Sequence, residues 1–274
     1  MKRIGLALGA GGARGLAHIH ALRAFDDLGV KPVAVAGTSM GALMGAAYCS
    51  GMSGEDIAAY VRERIDDRLR LIGEVFKIRP ASVQSFLNDG GLRIGELNLE
   101  RILEAFLPSE VGETFEELSI PLTVVTTDYY GERSMIFSRG PLRAPLAASA
   151  CMPAIFLPVR INGAFCIDGS STNPCPVDTL QEAADHVLGI DVAGGTHGDP
   201  GKKPKMVDAV YAANQMMQMT MAQLLADKFA NTVLLRAPVD RFRPLDFLKA
   251  KEILAETLPL YEDTKHAIDE LLNA

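Results

Sequence analysis

The first fifty residues contain two strand-to-helix junctions, and both junctions are built of glycine. Ile4-Gly5-Leu6-Ala7-Leu8 is a short apolar run that breaks into Gly9-Ala10-Gly11-Gly12-Ala13-Arg14-Gly15, after which Leu16, Ile19, Leu22 and Phe25 recur at helical spacing up to Asp27. Gly29 closes that helix, and Pro32-Val33-Ala34-Val35-Ala36 reads as a second buried strand running into Gly37-Thr38-Ser39-Met40-Gly41. Parallel strands need crossover helices, and those helices bury both faces of the sheet, which is why such strands carry no charge. The two consecutive β–α units therefore predict an α/β fold with a mainly parallel central sheet.

Three stretches carry no charged residue: Pro32 to Gly54, Ala144 to Val159 and Ala209 to Ala226. The first, at 23 residues, has the length of a membrane span, but Pro32 and five glycines would break the internal hydrogen bonding that lipid demands. Pro145 and Pro153 in the second run, and Asn214, Gln215, Gln218 and Gln223 in the third, exclude those similarly. Met1-Lys2-Arg3 before Ile4 imitates a signal peptide, yet the apolar part turns to glycine after Leu8 and meets Arg14. Cys49, Cys151, Cys166 and Cys175 lack C-x-x-C spacing and read as reduced core residues of a cytoplasmic protein. Thirty-four acids against 27 Lys and Arg leave a net charge of −7, which argues against nucleic-acid binding.

Further along, Ser53-Gly54-Glu55-Asp56 has capping-box spacing and opens a helix over about 54 to 70. Leu71 to Gly95 is irregular and reads as a surface excursion or a lid. Strands are expected at Leu122 to Thr127, Ser134 to Phe137, Ala164 to Ile167, His186 to Ile190 and Thr232 to Arg236. Helices are expected at Pro141 to Cys151, at Met206 to Phe229, and from about 245 to 272 with a break near Pro259.

Two features carry chemistry. Gly37-Thr38-Ser39-Met40-Gly41 is a G-x-S-x-G elbow at a strand-to-helix turn, where flanking glycines leave room for a strained bend that lifts the serine hydroxyl off the sheet. Gly9 to Gly15 serves either a dinucleotide fold or an oxyanion hole. The nucleotide reading wants an acid at the end of strand two, and Ala36-Gly37-Thr38-Ser39 stands there instead. A serine needs a base. Of the five histidines, His18 and His20 fall on the first helix as packing or surface residues. An α/β-hydrolase triad could recruit His186, His197 or His266, but that fold places several strands before its elbow, and Ser39 follows only the second. An aspartate is the better candidate: Asp128, Asp168 and Asp191 all end predicted strands and would share one sheet edge with Ser39 if the sheet is parallel. Asp168-Gly169 also reads as a hairpin turn.

Taken in order, Gly11-Gly12-Ala13-Arg14-Gly15, Gly37-Thr38-Ser39-Met40-Gly41, Thr127-Asp128, the segment Ala148-Ser149-Ala150-Cys151-Met152-Pro153-Ala154-Ile155-Phe156-Leu157-Pro158-Val159, and Asp168-Gly169 with Asn173-Pro174 resemble the patatin-like phospholipase family. The resemblance covers roughly residues 4 to 190 and points to a short bacterial member of the esterase-type branch. It implies a three-layer αβα sandwich and a Ser-Asp dyad without histidine: Ser39 as nucleophile, Asp168 as base, the backbone N–H groups of Gly11, Gly12 and Ala13 as oxyanion hole, Arg14 and Gly15 as loop-shaping residues, and Gly37 and Gly41 as the elbow. The chain departs from the family pattern at Ala10 and at Ser170.

The implied activity is hydrolysis of lipid carboxylic esters, phospholipid or lysophospholipid, with no cofactor and no metal. The implied organisation is a catalytic domain over 1–195 and a mostly helical extension over 196–274 packed on the same domain. A non-catalytic lipid-binding or regulatory protein on the same scaffold is the competing reading. Met206, Met216, Met217, Met219 and Met221 cluster on one predicted helix. Core packing is the leading account of them, with acyl-chain contact, peripheral membrane contact or a homodimer face as the alternatives.

Overall fold

Alternation along β1 (Ile4–Leu8) divides the core between two faces. Ile4, Leu6 and Leu8 join one buried cluster with Ile19, Leu22 and Phe25 of α1 (His18–Asp27), Ala42 and Ala46 of α2 (Met40–Cys49), and Ile268 and Leu271 of the C-terminal helix. Ala7 faces the other way, onto Cys175, Val177, Leu180, Ala222 and Ala226. Helices thus cover both sides of the sheet, as a strand buried on both faces requires.

The computed structural model describes residues 2–64, 107–153, 155–196, 198–199 and 201–273. β2 (Ala34–Thr38) leads into α2, and a helix α3 is described over 54–64; the remainder of the predicted 54–70 helix and the Leu71 to Gly95 segment lie outside the described residues. Then come β3 (Leu122–Asp128), β4 (Arg133–Phe137), α4 (Arg143–Ser149), β5 (Val159–Ile161), β6 (Ala164–Asp168), β7 (His186–Asp191), α5 (Met206–Ala226), β8 (Thr232–Arg236), α6 (Ala250–Glu256) and α7 (Pro259–Asn273). β5 escapes sequence reading because three residues are too few for an alternation to show.

The strands form one eight-stranded sheet in the order β5-β6-β3-β2-β1-β7-β8, with β4 also on β3. β3, β2, β1, β7 and β8 run parallel, so the mainly parallel α/β class holds. β4 and β6 run antiparallel to β3, and β5 antiparallel to β6; Asp128 and Asp191 end parallel strands as expected, but for Asp168, which ends β6, the expectation of a shared edge by parallel direction is corrected. A strand has only two edges. β4 occupies one edge of β3 along Val124–Asp128; β2 pairs with Leu122–Val125, and β6 with Thr126–Asp128. β2 and β6 therefore share the remaining edge, end to end and in opposite directions. Thr38 opposite Val125 and Asp168 opposite Thr126 are the two tips that meet.

A second correction concerns α5. Among its described side chains only Ala222 and Ala226 are buried, while Met206, Met216 and Met217 are exposed, so core packing does not account for those three methionines. No helix among the described residues is long and apolar enough to cross a membrane. All four cysteines are buried and unpaired.

Candidate active site

Ser39 stands between the end of β2 and the start of α2 with φ 56° and ψ −123°, one of three non-glycine residues with positive φ among those described. A serine in that conformation is strained and persists only where its surroundings over-determine it. Gly41 supplies part of that constraint. A Cβ there would lie 2.1 Å from the Leu8 carbonyl oxygen and 2.7 Å from that of Gly9, so α2 can approach the β1 backbone only with glycine at this position. Gly37 lies in β2 and Gly15 packs against Met40, closing the bend on its other side.

The Ser39 hydroxyl donates to Asp168 Oδ2 at 2.7 Å, both residues being almost completely buried. Asp168 is not in a hairpin turn: it caps a short 3₁₀ turn, Gly169–Ser171, and its Oδ1 accepts from the Ser170 N–H at 2.8 Å. Burial raises the Asp168 carboxyl above its ordinary pKa, opposed by the hydrogen bonds from Ser170 and Ser39. The departure at Ser170 thus contributes a backbone donor to the carboxylate, which any residue except proline could supply. The peptide behind it is held as well, since Thr127 Oγ1 donates to the Asp168 carbonyl at 3.0 Å.

The other candidate bases are engaged elsewhere. Asp128 accepts from the Gly131 N–H and faces Arg133; Asp191 accepts from the Ala193 N–H and from Arg236. His266 is exposed and pairs with Glu270, His186 lies at the far end of β1 opposite Ile4, and His197 lies outside the described residues. Among the described residues no cluster of His, Cys, Asp and Glu could hold a metal ion.

The glycine loop is tied down residue by residue, and the ties reveal which donors are left. The Gly9 N–H donates to the Ile190 carbonyl at 3.0 Å, Ala10 to Pro174 at 2.8 Å, Ala13 to Pro244 at 2.7 Å and Arg14 to Gly11 at 3.2 Å. Among the described residues the N–H groups of Gly11 and Gly12 have no such partner. Ala13, expected as a third oxyanion donor, is corrected: the Pro244 carbonyl already holds its N–H. Gly12 is obligatory because its φ is +57° and a Cβ would fall 2.2 Å from that same Pro244 oxygen.

Two buried side chains hold the loop carbonyls inward. Arg14 Nε donates to Gly11 O at 3.2 Å, and burial lowers its pKa to about 10, offset by the charges of Asp191, Asp240 and Asp246, so it stays a cation at neutral pH. His18 Nε2 donates to Gly9 O at 2.8 Å; burial lowers its pKa to about 4 and keeps the ring neutral, with the proton on Nε2 because a carbonyl can only accept. His20, buried on the same helix, makes the equivalent bond to Leu254 O. Sequence reasoning missed Pro244, His18 and Ser149 as parts of this assembly. No pattern flags a backbone carbonyl or a lone buried histidine. Ser149 lies in a segment the sequence singles out, without sign of its partner.

A patatin-like phospholipase family model matches residues 6–180, more than half of the chain. This chain belongs to the patatin-like phospholipase family. An uncharacterized NTE family protein of Mycobacterium tuberculosis is 31% identical over 221 residues, covering 80% of this chain and 57% of that protein. The neuropathy target esterase of Drosophila melanogaster is 30% identical over 195 residues, 69% of this chain and 13% of its own length. The chain thus spans little more than half of the mycobacterial relative and a small part of the fly protein. Among solved structures, VipD from Legionella pneumophila aligns with 96% of this chain and 67% of its own at a TM-score of 0.46 and 14% identity.

Proposed function

We propose that this chain is a serine acyl hydrolase that cleaves carboxylic esters of lipids or lysolipids through a Ser39–Asp168 dyad. The observation that carries the reading is the buried 2.7 Å hydrogen bond from Ser39 Oγ to Asp168 Oδ2, with no histidine interposed. Membership of the patatin-like phospholipase family and the names of its esterase relatives support the substrate class.

The chemistry follows from the arrangement. Ser39 Oγ attacks the ester carbonyl carbon while its proton passes to Asp168 Oδ2, and the carbonyl electron pair moves onto oxygen. The unengaged N–H groups of Gly11 and Gly12 are the donors for that oxyanion; Arg14 holds the Gly11 carbonyl and with it the peptide that carries the Gly12 N–H, while His18 and the Pro174 carbonyl fix the preceding Gly9–Ala10 peptide. Collapse expels the alkoxide, which takes the proton from Asp168; water then repeats the sequence on the acyl-enzyme. A free aspartate is a feeble base at neutral pH, and the burial that raises the Asp168 pKa brings it nearer to its task. The positive end of α2, which begins at Met40, adds a favourable field for negative charge.

Ester turnover tests the reading. Ser39→Ala and Asp168→Asn are each expected to lower kcat for aryl esters and lysophospholipids by at least ~10³-fold in folded protein, the scale seen when a member of a catalytic unit is removed. A folded Ser39→Ala protein with turnover within tenfold of the parent would contradict it, and would favour the lipid-binding alternative.

A further inference from the structure

Where the β2–β3 ladder stops, a side chain continues it. Val35 donates its N–H to the Pro121 carbonyl at 2.8 Å, and in a parallel ladder the donors on one strand recur every second residue. The register Gly37 opposite Val124 places the next rung from Gly37 to Thr123, and the one after it from Ser39 to Val125. That last rung is not direct. The Ser39 N–H donates to Ser149 Oγ at 2.8 Å, and Ser149 Oγ donates to the Val125 carbonyl at 2.7 Å. One hydroxyl, fully buried at the end of α4, is inserted between the two backbone groups that would otherwise have bonded each other.

We propose that Ser149 is a positioning residue for the nucleophile: its hydroxyl replaces a sheet rung and so lets Ser39 leave the strand without stranding a buried N–H. The inference rests on the reading of Ser39 as nucleophile. A direct rung would keep Ser39 in extended backbone at ordinary ladder spacing. The inserted oxygen separates the two strands by one extra hydrogen bond, and in that space Ser39 adopts its φ of 56° and presents Oγ to Asp168. The role demands one atom that both accepts and donates, which serine and threonine supply and alanine does not. The same insertion links α4 to the elbow, so the segment between β4 and β5 sets the geometry of a serine more than a hundred residues earlier.

The experiment uses the full chain. Folded fractions of Ser149→Ala, Ser149→Thr and Ser149→Val are measured by circular dichroism, and each is titrated with a fluorophosphonate probe and an aryl ester. Ser149→Ala is expected to lower the labelling rate and kcat at least about tenfold, with KM within about twofold, as befits misplacement of a reacting atom rather than lost binding. Ser149→Thr is expected to restore most of the rate. Exchange of the Ser39 amide hydrogen, read by NMR, is expected to be at least about tenfold faster in Ser149→Ala, because its acceptor is gone. Wild-type labelling rate in folded Ser149→Ala, or in folded Ser149→Val should the alanine variant not fold, overturns the inference. If the wild type takes no label at all, the functional reading fails on its own, and unchanged Ser39 amide exchange in Ser149→Ala or Ser149→Val overturns the inserted rung separately.

Discussion

Two helices of this chain lie in stretches that composition alone does not distinguish. α2 belongs to the uncharged run Pro32 to Gly54, and most of α5 to the uncharged run Ala209 to Ala226. In the fold they differ sharply. α2 is buried along almost its whole length, with Gly41, Ala42, Gly45, Ala46 and Ala47 facing strands and the neighbouring helix. Among its described side chains α5 buries only Ala222 and Ala226 and leaves Met216 and Met217 at 50% and 60% exposure. Absence of charge therefore does not decide burial. Side-chain volume decides how close a helix can come to a sheet: α2 turns two glycines and three alanines into the core within ten residues, whereas α5 has no glycine and buries the alanines near its C-terminal end.

The comparison is broken most severely at Gly41. Gly41→Ala forces a methyl group against two backbone carbonyls that cannot turn aside, and is expected to cost about 3 kcal/mol, the upper end of overpacking penalties, measured as a shift in the urea midpoint. A smaller effect of opposite sign is expected at Asp168, the carboxylate at the end of β6 that faces Ser39. The folded-state pKa of Asp168 is raised, so the stability this group contributes is full at acid pH, below its unfolded value, and is lost as pH rises through the folded value. Asparagine escapes that loss while still accepting from the Ser170 N–H. Asp168→Asn is therefore expected to melt higher than the wild type at pH 7, with the gap narrowing below about pH 4, the ordinary aspartate range. At the other extreme, Met217→Gln on α5 is expected to shift stability by no more than ~0.5 kcal/mol, as for surface substitutions generally. A loss of about 2 kcal/mol at Met217 would erase the distinction between the two helices.

Much of this architecture is legible in the residues. The strand, glycine loop, helix, strand and elbow of the first fifty positions fall within a few residues of their predicted bounds, because each boundary is marked by glycine or by a change of hydrophobic period. Ser39 and Asp168, nominated from strand-ending positions and family blocks, meet at hydrogen-bonding distance. The route by which they meet was not legible. β6 reaches Ser39 by running head-on into β2 along a shared edge of β3, and strand direction leaves no trace in a five-residue segment. Nor was the fate of the Ala13 N–H, which depends on a carbonyl at Pro244, far along the chain. Long-range backbone partners and inserted hydroxyls are properties of packing, and local pattern does not encode them. Met206, Met216 and Met217 of α5 show the converse error, in which a local pattern suggests burial that packing does not supply.

The central claim is that Ser39, activated by Asp168 alone, is a nucleophile. Reaction of the intact chain with a fluorophosphonate, followed by mass measurement and peptide mapping, tests it most directly. The account predicts a single adduct on Ser39 that is absent from Ser39→Ala and strongly slowed in Asp168→Asn. Failure of the folded wild-type chain to form an adduct, or an adduct that maps to another residue and persists in Ser39→Ala, would contradict it.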